Sequence, residues 1–128
     1  MFTIDKIYGI IKEGRGRQMK TQFEAIRLVL LERVAQTEKW GEQTHSWAEW
    51  ATILGEEYGE FCEAVNETVL NNANKPELGG YKNMLKEATH TAAVAVQILE
   101  KLIEQCRQME GEAGNDEQGR NSKNLQGV

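Results

Sequence analysis

Two short spacings carry the chemical content of this 128-residue chain. Glu57 and Glu60 form one pair, and Glu87 and His90, in Glu87-Ala88-Thr89-His90, form the other. Residues three apart on a helix share a side, so each pair can converge on one point. At about 100° per residue, Glu56, Glu60, Glu63 and Glu67 fall in one row opposite the apolar residues of their segment, as a solvated face does. Glu57 instead shares its side with Ile53, Ala64 and Thr68, on the shoulder of the buried stripe. An ionised carboxylate there is costly unless it is paired or bound to a metal. Glu87 borders an apolar arc that continues to Val94 and Ile98, with His90 one turn away. Two such pairs on neighbouring helices are the usual way a helical bundle builds a metal site. Several carboxylate oxygens favour a hard cation, Mg²⁺ or Mn²⁺, and one imidazole shifts the preference toward Mn²⁺ or iron.

Helices must position these residues. Proline occurs once, at Pro76, and no run alternates apolar with polar residues as a half-buried strand does. The expected fold class is all-α, an antiparallel bundle of about three to five helices. Helix spacing of Phe23, Ile26, Leu30 and Val34 predicts a first long helix over 22–38, stopped at Gly41. Ser46 followed by Glu49 predicts an N-cap with a capping box, opening a helix over 47–71. Its buried stripe is expected to be Leu54, Tyr58, Phe61, Val65 and Val69. Asn71, Asn72, Asn74, Pro76, Gly79 and Gly80 then mark a loop. A third helix is expected over 81–109, with Ala92-Ala93-Val94-Ala95-Val96 apolar almost all round. In so short a chain that implies cover from another copy, a homodimer or homotetramer whose interface includes some of Ala92 to Val96.

Residues 22–110 form the expected helical domain. Residues 1–21 read as an N-terminal arm or short helix, followed by a joint at Gly14-Arg15-Gly16-Arg17. Residues 111–128 hold almost no apolar side chains to offset the entropy of ordering, and a disordered tail is expected. The net charge of −5 is uneven: between Ala48 and Asn74 there are six glutamates and no Lys or Arg. An acidic chain with only Cys62 and Cys106 argues against a disulfide scaffold, a zinc knuckle or a nucleic-acid polymer as partner. Apolar runs no longer than Leu28–Leu31 and Ala92–Val96 argue against a membrane span. The amino terminus also lacks a signal-peptide pattern, so a cytoplasmic location is expected.

The combination is more specific than either pair. Leu54-Gly55-Glu56-Glu57-Tyr58-Gly59-Glu60, followed after 26 residues by Glu87-x-x-His90 and the apolar Ala92–Val96 run, resembles the E-x-x-E…E-x-x-D signature of MazG-like all-α NTP pyrophosphohydrolases. The preceding Lys39-Trp40-Gly41-Glu42-Gln43-Thr44-His45 and Trp47 are similar to a segment found before that signature in bacterial and phage members. The resemblance covers roughly residues 32–102 and implies a MazG-type helical fold. It puts Glu57, Glu60 and Glu87 at metal-binding positions and His90 where the family has its fourth acid. It implies hydrolysis of a nucleoside triphosphate at the α-phosphorus to a monophosphate and pyrophosphate, with Mg²⁺ or Mn²⁺ as cofactor. Within that reading Glu56 is the candidate for orienting water, and Lys82 and Lys86, one turn apart, are candidates for phosphate contacts, with Lys75 a weaker one. Trp40 and Trp47 are candidates for stacking on the base and Gln43 for reading its edge.

Two other classes compete. A di-iron carboxylate protein built from a dimer uses a helix glutamate and a Glu-x-x-His pair from each subunit, which Glu87-x-x-His90 matches literally. It leaves the second carboxylate of the Glu57–Glu60 pair and the Trp40 segment unexplained. The third is a catalytically silent helical interaction protein.

Overall fold

The computed structural model describes residues 3–12, 16–70 and 75–125, and among them there are four α-helices and no strand. They are α1 (Ile4–Lys12), α2 (Gly16–Trp40), α3 (Trp47–Val69) and α4 (Tyr81–Leu125), with a single 3₁₀ turn at Pro76–Leu78 before α4. The fold is therefore all-α, as expected. None of these helices is long and apolar enough to cross a membrane. The chain divides into two compact units, Met1–Val94 and Ala95–Val128. Every residue of the candidate site belongs to the first.

The predicted punctuation between helices is present. α2 stops at Gly41, whose φ of +66° suits glycine and whose N–H donates to the Thr37 carbonyl (2.8 Å). Ser46 caps α3: Glu49 N–H donates to Ser46 Oγ (3.2 Å) and Ser46 N–H donates to Glu49 Oε1 (3.4 Å), completing the capping box. His45, just before the cap, packs its ring edge-on against Trp50, centroids 4.7 Å apart. Trp50 is 2% exposed, so this contact fixes the angle at which the chain enters α3.

The segment after α3 folds back on it. Lys75 N–H donates to Glu67 Oε2 (3.2 Å), and Lys75 Nζ donates to Glu63 Oε1 (3.1 Å). Gly80 N–H donates to Thr68 Oγ1 (2.7 Å). A Cβ at Gly79 would stand 3.0 Å from the Glu67 carbonyl oxygen, so a larger residue there would have to push the two segments apart by a few tenths of an ångström. Glu63 and Glu67, expected on a solvated face, are half-buried and anchor the loop.

Three expectations are corrected. First, the inward face of α3 is centred on Trp50, Glu57, Phe61, Ala64 and Thr68, while Tyr58 and Val69 are exposed. Relative to the predicted stripe it is turned by roughly 60°, which takes Glu57 from the shoulder to the middle. Second, α2 turns Val29, Glu32, Arg33 and Gln36 inward and leaves Phe23, Ile26, Leu30 and Val34 exposed. Of the Ala92–Val96 run, Ala93 and Val94 are buried within the chain, Val94 being 4% exposed, and Ala92, Ala95 and Val96 are half-buried. Third, helical backbone continues past Met109 to Leu125. That extension carries no proline, each residue adds one backbone hydrogen bond, and every described side chain from Leu102 onward is exposed. At the other end α1 accounts for the predicted short helix, Gly16 and Arg17 open α2, and the rest of the expected joint, Gly14 and Arg15, lies outside the described residues.

Candidate metal centre

Three helices of the first unit meet at one cluster. α3 contributes Glu57, α4 contributes Glu87 and His90, and α2 contributes Glu32. His90 is the hub: its Nδ1 is 3.6 Å from Glu87 Oε2 and 3.9 Å from Glu57 Oε2, and its Nε2 is 3.6 Å from Glu32 Oε1. Taking one ligand atom from each, Glu57, Glu87 and His90 place all three within 4.8 Å of one another. A single cation with bonds of roughly 2.0–2.2 Å needs little more than a side-chain adjustment to take all three.

The electrostatics favour a cation. Glu87 is 7% exposed, and its Oε2 and that of Glu57 are both sealed from solvent with no hydrogen-bond partner among the described residues. Burial without a donor disfavours the charged form, and burial is the first reason the Glu57 carboxyl is pushed above its ordinary pKa. The negative charges of Glu60, Glu87 and Glu32 push in the same direction, and only His90 opposes them. Lys86 Nζ, 3.3 Å from Glu87 Oε1, reaches the outer oxygen and leaves the buried one untouched. The orphaned oxygens are what a divalent ion would satisfy, so the donor set fits one.

Two clefts flank the cluster. The larger, about 360 Å³, is lined by Leu28, Leu31 and Leu85, by the cations Lys82 and Lys86, and by Thr89, Glu32 and His90. The smaller, about 230 Å³, is lined by Glu60, Glu63, Leu78, Asn83 and Glu87. Asn83 Nδ2 donates to the Leu78 carbonyl (2.6 Å), tying the 3₁₀ turn to the start of α4 and shaping that second cleft.

Of the four predicted metal-binding residues, Glu57, Glu87 and His90 come together. Glu60 is exposed and stands on the smaller cleft beside Glu87, near enough to raise the Glu57 pKa but outside the triad. Lys82 and Lys86 line the larger cleft. Glu56 is exposed and lines neither cleft, and Lys75 is engaged by Glu63. Trp40, Gln43 and Trp47 also line neither; Trp40 is exposed with Lys39 Nζ 4.4 Å from its ring centroid, Trp47 is exposed and Gln43 half-buried.

Sequence reasoning missed Glu32. The spacing of Phe23, Ile26, Leu30 and Val34 places it on the opposite side of α2, away from the apolar residues. The available signal was the polar trio Glu32, Arg33 and Gln36, whose spacings of three and four allow hydrogen bonds within one helix face. Those bonds are present: Gln36 Nε2 donates to Glu32 Oε1 (3.4 Å) and Arg33 Nη1 donates to Gln36 Oε1 (3.1 Å). Compared with protein-family models, with curated proteins and with solved structures, the chain gives no match in any of the three.

Proposed function

We propose that this protein is a metal-dependent nucleoside triphosphate pyrophosphohydrolase, as the motif resemblance implies, acting as a homo-oligomer. The observation that carries the reading is the convergence of Glu57, Glu87 and His90, two of them with buried unpartnered oxygens, beside a cleft lined by Lys82 and Lys86. Glu57, Glu87 and His90 would hold the ion, Mg²⁺ or Mn²⁺. When bound, such an ion supplies neutralisation of the triphosphate charge and a more acidic water. In the reaction, water oxygen bonds to the α-phosphorus, the bond from that phosphorus to the bridging oxygen breaks, and pyrophosphate leaves. Lys82 and Lys86 hold phosphate oxygens by charge, and Leu28, Leu31 and Leu85 offer the rest of the nucleotide apolar contact. In this reading a second copy covers part of the Ala92–Val96 run, and the exposed apolar side chains of α2, Phe23, Ile26, Leu30 and Val34, offer it further surface.

The test is a panel of canonical and modified nucleoside triphosphates with Mg²⁺ or Mn²⁺, reading pyrophosphate against orthophosphate. Pyrophosphate release with one of them supports the proposal; no release from any, with metal bound, overturns it.

One observation favours the di-iron reading as the alternative. Carboxylates from α2 and α3 meet a Glu-x-x-His pair from α4 within one chain, a donor set that also suits iron. Stoichiometric iron after aerobic loading with Fe²⁺, together with no triphosphate hydrolysis, would select it.

A further inference from the structure

The imidazole of His90 has carboxylates on both sides, and the two sides are not equivalent. Nδ1 faces Glu57 Oε2 and Glu87 Oε2, the two sealed oxygens. Nε2 faces Glu32 Oε1 across 3.6 Å. A neutral imidazole has one N–H and one lone pair, and a metal takes the lone pair. If an ion sits between the Glu57 and Glu87 oxygens, the proton must be on Nε2, and the carboxylate facing that nitrogen is Glu32.

Glu32 is itself held for this task. Gln36 donates its amide N–H to the same Oε1, and Arg33 donates to the Gln36 oxygen, which fixes the orientation of the amide. Arg33 is buried, and Gln36 and Glu32 are half-buried, so the series Arg33, Gln36, Glu32, His90 runs along the inward face of α2 to the ring on α4. The cluster is more than a set of acidic groups, because the Glu87 side chain is only 9% exposed and its Oε2, without a hydrogen-bond partner among the described residues, is directed at Nδ1.

We infer that His90 ligates a divalent cation through Nδ1 while its Nε2–H is held by Glu32, which makes Glu32 the positioning residue that sets the tautomer of the ligand. The inference rests on the metal centre of the proposed function. Carboxylates that orient metal-bound histidines raise the basicity of the ring, and their loss typically weakens metal affinity by about 10–100-fold. A nitrogen ligand prepared in this way favours Mn²⁺ over Mg²⁺.

The test uses the full chain and two readouts besides turnover: calorimetric affinity for Mn²⁺, and the ¹⁵N shifts of His90 in the Zn²⁺-loaded, diamagnetic protein. Wild type is expected to show a protonated Nε2 and a metal-bound Nδ1. Glu32→Ala should weaken Mn²⁺ binding by about 10–100-fold. Glu32→Gln should lose less, because its amide oxygen still accepts from Nε2–H. In a His90→Asp background the Glu32→Ala penalty should vanish, since no tautomer is left to set. Metal on Nε2, wild-type affinity in Glu32→Ala, or a penalty that persists with His90→Asp would each overturn the assignment to Glu32 and leave the centre standing. A wild type that binds neither Mn²⁺ nor Zn²⁺ would overturn the centre itself.

Discussion

Glu87 Oε2 and His90 Nδ1 lie 3.6 Å apart on consecutive turns of α4, and the oxygen of that pair is sealed from solvent without a hydrogen-bond donor. Glu57 Oε2 approaches the same nitrogen from α3 at 3.9 Å and is sealed in the same way. The folded state thus holds two carboxylate oxygens in a place where an added positive charge would relieve their desolvation and their mutual repulsion.

Glu57→Gln and Glu87→Gln keep side-chain shape but remove charge from that point. Each is expected to lower triphosphate hydrolysis by roughly a hundredfold or more, about 2.7 kcal/mol in barrier height, with helix content unchanged. Glu63→Gln, which touches Lys75 and not the cluster, should stay near wild type. Steady-state kinetics and far-UV circular dichroism on the three variants check this, and a comparable loss in Glu63→Gln would contradict the assignment.

Without metal, the stability of the protein should carry the signature of Glu57. Its pKa is raised above 4.5 in the folded state, chiefly by burial. Below the unfolded value both states are protonated and burial costs nothing; as pH rises through the folded pKa, the cost of the ionised form enters in full. The melting temperature of Glu57→Gln relative to wild type should therefore be near even in acid and favour the variant at neutral pH. Saturating Mn²⁺ should reverse that order, because the ion binds the native carboxylates. Thermal melts of both proteins across pH, with and without Mn²⁺, provide the comparison.

His90→Asp separates the two enzyme readings. In the pyrophosphohydrolase it restores an acid at this position and adds charge for a hard cation, so Mg²⁺-dependent pyrophosphate release is expected to hold or rise. In a di-iron centre the same change removes a required imidazole, and bound iron should fall. Both quantities are measured on the same preparations.

Ser46→Ala removes the hydroxyl that caps α3 and half of the capping box. A loss of about 1 kcal/mol is expected in chemical denaturation, with Mn²⁺ affinity little changed because the cap is remote from the ligand atoms in sequence.

Of the described residues, removing 111–128 takes away the end of α4, whose described side chains are exposed. Fold and turnover of the shortened chain should match the full chain within a few tenths of a kcal/mol and about twofold, respectively. A large drop in melting temperature would show that this stretch packs on something.

The all-helical class, the Gly41 stop, the Ser46–Glu49 capping box and the pairing of Glu87 with His90 were legible in the sequence, because each depends on local chemistry or on spacing within one helix, whereas the expected approach of Glu57 to that pair became a contact only through packing of α3 against α4. Only the tertiary structure decided which way the helices turn. Phe23, Ile26, Leu30 and Val34 are the more hydrophobic face of α2, yet the opposite face, with Glu32, Arg33 and Gln36, is the one turned inward. Spacing reports that a helix has two faces, but the facing depends on what its neighbours offer, and here His90 offers a partner for Glu32 that no spacing within α2 can reveal. The same limit applies to α3, where a rotation of about 60° separates the predicted stripe from the packed one and brings Glu57 to the middle of the inward face. Local sequence sets the period of a helix; long-range packing sets its phase, and the phase decides which carboxylates come together.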